Sequence, residues 1–257
     1  EKANLKVDNI FASEIRKPRI LVAGCGTGQH SIMSSTRFKN SSVLAIDLSL
    51  KSLGYAKMKT EELNISNIEY INADILDLDK YEKKFDIIES SGVLHHMKDP
   101  YSGWEILTNC LKKGGLMAIG LYSELARKHI VKARKEIKNL KLSSDLKGIK
   151  SIRKIIKNSE NLHHKKIKSM QDFYSTSELR DLVFHVQEHH FSIPKISDHL
   201  DRLGLTFCGF ESVKINKLFK EKYPDDEKLY DLNYWNEFEM QYPNTFLGMY
   251  QFWCQKL

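Results

Sequence analysis

Residues 20–30 read Ile-Leu-Val-Ala-Gly-Cys-Gly-Thr-Gly-Gln-His, and no other stretch restricts the fold so tightly. Four apolar residues, Ile20 to Ala23, suit a strand covered on both faces, as in a parallel sheet lying between helices. Gly24, Gly26 and Gly28 follow at alternate positions. With no Cβ in the way, a chain can turn sharply there and bring its backbone against a ligand. A helix starting near Gln29 would turn its free N–H groups toward the same spot, so the stretch outlines a nucleotide site.

The segments downstream strengthen this outline. A second apolar run, 43–46, ends in Asp47, roughly twenty residues past the glycines, where an acid can hydrogen-bond a ribose. A third run, 70–73, ends in Asp74; a fourth, 85–89, leads into Ser90-Ser91-Gly92; a fifth, 116–121, follows Lys113-Gly114-Gly115. Helix-like stretches at 48–63 and 101–111 separate them, and Ser49 suits an N-cap. Strand and helix alternate. The pattern predicts an α/β fold, a doubly wound and mostly parallel sheet with its ligand at the carboxyl ends of the strands.

The segments GCGTG (24–28), VLAIDLS (43–49), INADILDL (71–78), FDIIESSGVLHHMKDP (85–100) and LKKGGLMAIG (111–120) together resemble the class I S-adenosylmethionine-dependent methyltransferases, over about residues 18–123. The resemblance implies S-adenosyl-L-methionine as cofactor and a closing antiparallel hairpin at the end of the sheet. It implies that Gly24, Gly26 and Gly28, with Ala23 and Cys25, pass beneath the methionine part. Asp47, next to Leu48, would accept from both ribose hydroxyls, since a carboxylate offers two acceptor oxygens. Asp74 would take the adenine amino group with Ile75 against the ring, and Ser91 would line the site near the sulfonium. One position departs from the pattern: many relatives carry an acid two residues before the first glycine, and this chain has Val22. Weaker cofactor binding, or another group in that role, is the consequence. The competing nicotinamide reading prefers G-x-G-x-x-G, and Gln29 stands where its last glycine belongs.

The chain has 257 residues, enough for one large domain or one domain plus an insertion, and no apolar run that would span a bilayer. No signal peptide is expected, and Cys25, Cys110, Cys208 and Cys254 show no Cys-x-x-Cys pair; reduced thiols in a cytoplasm are expected. The first residue is Glu1, which leaves an upstream domain, absent from this chain, as an expectation. The positive charge is local. Residues 124–170 carry 15 Lys/Arg and 4 Asp/Glu, a net +11 against +7 for the whole chain, so the remainder is acidic at −4.

Isoleucines recur at helical spacing through 124–170, from Ile130 to Ile156, which predicts two or three amphipathic helices inserted after the fifth strand as a cap. Ser175 or Thr176 suits the start of a helix over 177–186, and Pro194 the start of another ended by Gly204. Strand character resumes at 205–215, and the aromatic segment 245–255 is the expected partner. Ile10, Phe11 and Ile15 suggest a short helix beside the site. The predicted division is 1–123 as cofactor-binding core, 124–204 as helical cap and 205–257 as strands completing the sheet. The basic cap admits an acidic substrate or nucleic acid, an anionic membrane, or a solvated face. No aromatic residue occurs in 124–170, which weakens base stacking and favours the solvated face.

For the chemistry, His95 or His96 could deprotonate an acceptor, since imidazole titrates near neutrality; a locally bonded histidine is the plainer reading. Tyr122, Tyr174 and His185 are further acceptor-side candidates. His185-Val186-Gln187-Glu188-His189 matches the H-x-x-E-H pattern of a zinc-peptidase class, but no third ligand is evident and no metal is expected. The Asn/Asp-Pro-Pro-Tyr/Phe loop of enzymes that methylate base amino groups is missing. The resemblance therefore implies a protein or small-molecule methyl acceptor, nucleic acid being less favoured. The stretch 173–189 is similar to one found in bacterial methyltransferases of unassigned substrate, some joined to tetratricopeptide-type repeats, which leans toward a protein acceptor. A non-catalytic cofactor-binding module and a polyanion-binding protein are the rival readings.

Overall fold

A computed structural model describes residues 5–8, 17–38, 40–81, 85–185 and 187–257. The helix expected around Ile10, Phe11 and Ile15 lies outside them. The first half alternates as the sequence predicts: β1 (Arg19–Ala23), α1 (Gln29–Arg37), β2 (Ser42–Asp47), α2 (Leu50–Glu62), β3 (Ile68–Asn72), β4 (Phe85–Ser91), α3 (Pro100–Cys110) and β5 (Leu111–Leu121). Helices α4 (Glu124–Asn139), α5 (Leu146–Asn158), α6 (Leu162–Lys168), α7 (Thr176–Phe184) and α8 (Ile193–Leu203) follow. The chain ends with β6 (Leu205–Phe210), α9 (Val213–Lys222), α10 (Leu232–Gln241) and β7 (Tyr250–Lys256).

All strands join one seven-stranded sheet in the order β3-β2-β1-β4-β5-β7-β6. The first five run parallel, and β7 lies antiparallel between β5 and β6, the expected closing hairpin. The reason the central strands read as unbroken apolar runs is visible in their side chains. Ile20, Val22, Val43, Ala45 and Ile87 pack in one cluster, while Leu21, Ala23, Ile46 and Ile88 pack in another on the opposite face. Alternate residues of a strand point to opposite faces, so a doubly covered strand needs apolar residues at every position.

A third cluster, built from Ile130, Ala133, Ile137, Ile149, Ile152, Ile156, Ile167, Phe173, Leu179, Leu182 and Val183, is confined to residues 130–183. By contrast Phe191, Ile193, Ile196 and Leu200 belong to the main core. The chain leaves the sheet and comes back at one place: Glu124 N–H donates to Phe191 O at 2.8 Å, and Phe191 N–H to Tyr122 O at 2.9 Å. Helix α8 is therefore packed on the sheet with α3 and α10, and the separately packed excursion is 124–190.

Two expectations need correction. The strand predicted over 205–215 stops at Phe210, because the Ser212 hydroxyl caps Ile215 N–H and starts α9. The segment 211–249 also holds two helices where only sheet-completing strands were expected. They pack by aromatic contact, Trp235 on Phe219 at 3.9 Å between ring centres, both fully buried with Phe210 and Phe246. Among the described residues no helix is long and apolar enough to cross a membrane, and the four cysteines are buried with no disulfide joining them.

Glu239 of α10 ties these parts together. Its carboxylate accepts from Ser123 Oγ, the cap of α4, and from Tyr250 OH of β7, each at 2.6 Å, and it is 1% exposed. Glu239→Ala would leave two buried hydroxyls without an acceptor, and urea unfolding should show a loss of about 2–3 kcal/mol.

Candidate functional site

The carboxyl ends of β1, β2 and β4 open into a cavity of about 340 Å³. Its walls are Gly24, Gly26, Ile46, Asp47, Leu48, Ala73, Asp74, Ile75, Ser91, Gly92, Val93, His96 and Met97. The three glycines of the first loop all have positive φ, at 79°, 52° and 90°, but they serve different ends. A Cβ on Gly24 would lie 2.2 Å from a methyl of Val93, and one on Gly28 would lie 2.6 Å from Ala56 Cβ. Those two glycines let the loop pack against β4's loop and α2. Gly26 faces open space, and there a bare backbone borders the cavity.

Asp47 holds this loop in place. Its Oδ2 accepts Gly26 N–H and its Oδ1 accepts Ser49 N–H, both at 2.8 Å. Two of the roughly four lone-pair positions of a carboxylate are thus taken, and the others remain for a ligand. Asp74 caps the 3₁₀ turn Ile75–Asp77 through Leu76 N–H at 3.0 Å, which sets Ile75, 6% exposed, in the wall. Gly28 is the N-cap of α1 and supplies no side chain to its first N–H groups.

Val22 pairs in register with Glu89 of β4. The Glu89 side chain is wholly buried; its Oε2 takes Ser34 Oγ and lies 3.3 Å from His30 Nε2, while Oε1 has no partner. An acid is present one strand away from the position where the sequence pattern lacks one.

Beyond His96 lies a column of rings. Tyr122 stacks on His95 at 3.8 Å, His95 meets His96 edge-on at 4.3 Å, and His185 stacks on His96 at 4.1 Å. Burial drives the His95 pKa down to about 3, with neighbouring His96 adding to the effect, so its ring stays neutral. Burial likewise raises the Tyr122 hydroxyl. The Arg127 guanidinium covers the Tyr122 ring at 3.4 Å.

Residues 187–190 strap this column down. His189 N–H donates to His95 O at 2.8 Å, and His96 Nδ1 lies 3.2 Å from Gln187 O. Glu188, 1% exposed at its side chain, receives Arg134 at 2.8 Å, Arg127 at 3.4 Å and His190 at 2.7 Å. Burial alone would raise this carboxyl; His190, Arg127 and Arg134 outweigh it and bring the pKa down to about 2.

The profile of a methyltransferase domain family matches residues 16–182. The chain belongs to that family. Its fold is the Rossmann-like one of the class I S-adenosylmethionine-dependent methyltransferases. The methyltransferase domain is similar to an uncharacterised protein of Synechococcus, 27% identical over 207 residues, covering 77% of this chain and 50% of that protein. It is similar to malonyl-[acyl-carrier protein] O-methyltransferase 2 of Ilyobacter polytropus, 27% identical over 143 residues, 53% of this chain and 52% of the enzyme. Among solved structures, PKMT2 from Rickettsia typhi in complex with AdoHcy superposes over 99% of this chain and 50% of its own, with a TM-score of 0.70 at 17% identity. The chain spans about half the length of these relatives.

Of the residues that the sequence assigns to the cofactor, Gly24, Gly26, Asp47, Leu48, Asp74, Ile75 and Ser91 line the methyltransferase domain's cavity. Ala23, Cys25 and Gly28 do not; they lie behind the wall, and burial pushes the Cys25 thiol up to about 12, helped by Asp47. His95, Tyr122 and His185 are brought together next to the cavity, and only His96 of the ring column reaches its lining. Tyr174 is apart from them, 75% exposed and edge-on to Phe173. His185 and His189 do not share a helical face, because α7 ends at Phe184, and no group of three metal-ligating side chains occurs among the described residues. Sequence reasoning gave no role to Met97, Arg127 or Glu89, and named Glu188 only within the H-x-x-E-H pattern. Glu89 carried a signal, a charge inside an apolar strand.

Glu188→Ala would strand Arg127 and Arg134 without a counter-charge, and thermal or urea unfolding should show a loss of about 3–5 kcal/mol. Since the folded-state pKa of Glu188 is depressed, its contribution is complete above pH ~4.5 and fades as pH falls toward ~2. Acid titration of the unfolding free energy should show that window in the parent and lack it in the variant.

Proposed function

We propose that this chain is a methyltransferase that binds S-adenosylmethionine in the cavity at the ends of β1, β2 and β4 and methylates an acceptor presented beneath the excursion 124–190. The observation carrying this reading is the wall itself: an open backbone at Gly26, a carboxylate at Asp47 with spare acceptor positions, and Asp74 beside Ile75. Asp47 would hold the ribose hydroxyls, Asp74 and Ile75 the adenine, and the glycine loop the amino-acid part. Glu89, in register with Val22, is buried against Ser34 and His30 behind the wall. The cofactor supplies an activated methyl group. The chain contributes alignment of the acceptor and exclusion of water.

The excursion packs round a core of its own, which supports its assignment as a cap that selects the acceptor. The similar Ilyobacter enzyme acts, by its name, on a carrier-protein-bound group, which supports a protein-borne acceptor here; a small metabolite is the alternative. Lysines cover the outside of the excursion, but it lacks aromatic residues over 124–170, so nucleic acid is not favoured. Buried, unbridged thiols fit a cytoplasmic setting.

Asp47→Ala removes charge-assisted acceptors and loosens the glycine loop, so calorimetry with S-adenosylhomocysteine should show affinity reduced more than tenfold; unchanged affinity would refute the assignment. Replacing Lys147, Lys150, Lys154 and Lys157 by glutamine should leave that affinity within about twofold, because exposed charges at a distance are screened.

A further inference from the structure

We infer that His96 is the proton acceptor of this site, and that the methyl acceptor is a group whose attacking atom still carries a proton, a hydroxyl or an ammonium. This rests on the methyltransferase reading above and goes on to name the base and the acceptor class.

His96 is the one titratable side chain of the ring column that reaches the cavity wall, which it shares with Gly24, Val93 and Met97. Its tautomer is set by the strap. Gln187 O, 3.2 Å from Nδ1, can only accept, so the ring proton sits on Nδ1 and the lone pair on Nε2. Nε2 has no hydrogen-bond partner among the described residues and is not among the buried unsatisfied atoms. The ring lies against His185 at 4.1 Å and edge-on to His95 and Tyr122, and turning it over would give up the Nδ1 contact with Gln187 O. His95 is excluded from the role. Both its nitrogens are sealed in the interior, away from the cavity lining.

The groups around His96 favour its uncharged form. Burial lowers its pKa most; Gln187 O raises it, His185 lowers it, Glu188 raises it and Arg127 lowers it. His95, neutral, and Tyr122, its hydroxyl raised by burial, add no charge near pH 7. A neutral imidazole with a free Nε2 is the state a general base needs before reaction. In the transfer, the acceptor's proton passes to Nε2, and the pair left on the acceptor atom forms its bond to the methyl carbon. The pair of the broken carbon–sulfur bond stays on sulfur. The imidazolium then returns its proton to water.

The test has two parts. Long-range nitrogen-15 NMR of histidine-labelled protein, with His96 assigned through His96→Asn, should show the Nδ1–H tautomer, neutral at pH 7. An Nε2–H tautomer or an imidazolium at that pH overturns the inference without any acceptor being present. The second part follows methyl label from S-adenosylmethionine into a bacterial lysate at single turnover. His96→Asn retains a donor to Gln187 O but has no base; it should bind S-adenosylhomocysteine within about threefold of the parent and transfer label about 100-fold more slowly, partly restored by added imidazole or by raising the pH. His96→Gln serves as the second variant if Asn melts early. Transfer at the parental rate, or a loss of rate matched by lost cofactor affinity, overturns the assignment. A parent that neither binds S-adenosylhomocysteine nor labels anything overturns the methyltransferase reading beneath it.

Discussion

The bond between Asp47 and the amide of Gly26 is what the site depends on. It joins the end of β2 to the loop leaving β1, so that two strand ends and a glycine turn behave as one rigid lip. The same carboxylate caps Ser49 at the start of α2, and the Ile46 carbonyl takes the amides of Gly24 and Cys25. Three left-handed glycines cost conformational entropy, and this set of bonds offsets part of it. A side chain at Gly24 or Gly28 would collide with Val93 or Ala56, whereas the bare face of Gly26 borders the cavity.

A second constraint works from the other side. The chain makes a helical excursion after β5 and returns to the strand end it left, tied at Tyr122, Glu124 and Phe191. Glu188, buried between Arg127 and Arg134 of α4, locks the returning strap across His95 and His96. A buried carboxylate is tolerated only because cations and His190 surround it. Its placement joins two loops of different origin, with His96 Nδ1 3.2 Å from Gln187 O.

The motif-bearing half of the chain was largely legible in the sequence. Local geometry explains why: apolar runs specify buried strands, glycines at alternate positions specify a left-handed turn, and acids at strand ends mark the sheet's carboxyl edge. The strand expected at 70–73 begins earlier, at Ile68, and that at 116–121 begins at Leu111, since hydrogen bonding to neighbours extends strands beyond their apolar centres. The segment 211–249 was not legible. Its helices are stabilised by aromatic contacts with the sheet hairpin, which periodicity does not register. The residues of the H-x-x-E-H pattern do not lie on a helix: an i, i+4 pair shares a face only there, and α7 ends at Phe184, before the motif begins.

By itself, the sequence determined the alternation of strands and helices over the first half of the chain and the glycine turn, and it marked Gly24, Gly26, Asp47 and Asp74 as candidates, because apolar runs, glycines and strand-end acids are local signals. The tertiary structure alone decided that Glu89 stands beside Val22, that Glu188 closes on Arg127 and Arg134, and that His96 reaches the cavity while His95 is sealed away. Those outcomes depend on strand register and on a strap returning from 91 residues downstream, as in the His96–Gln187 contact, where packing and charge pairing, rather than local preference, set which atoms meet.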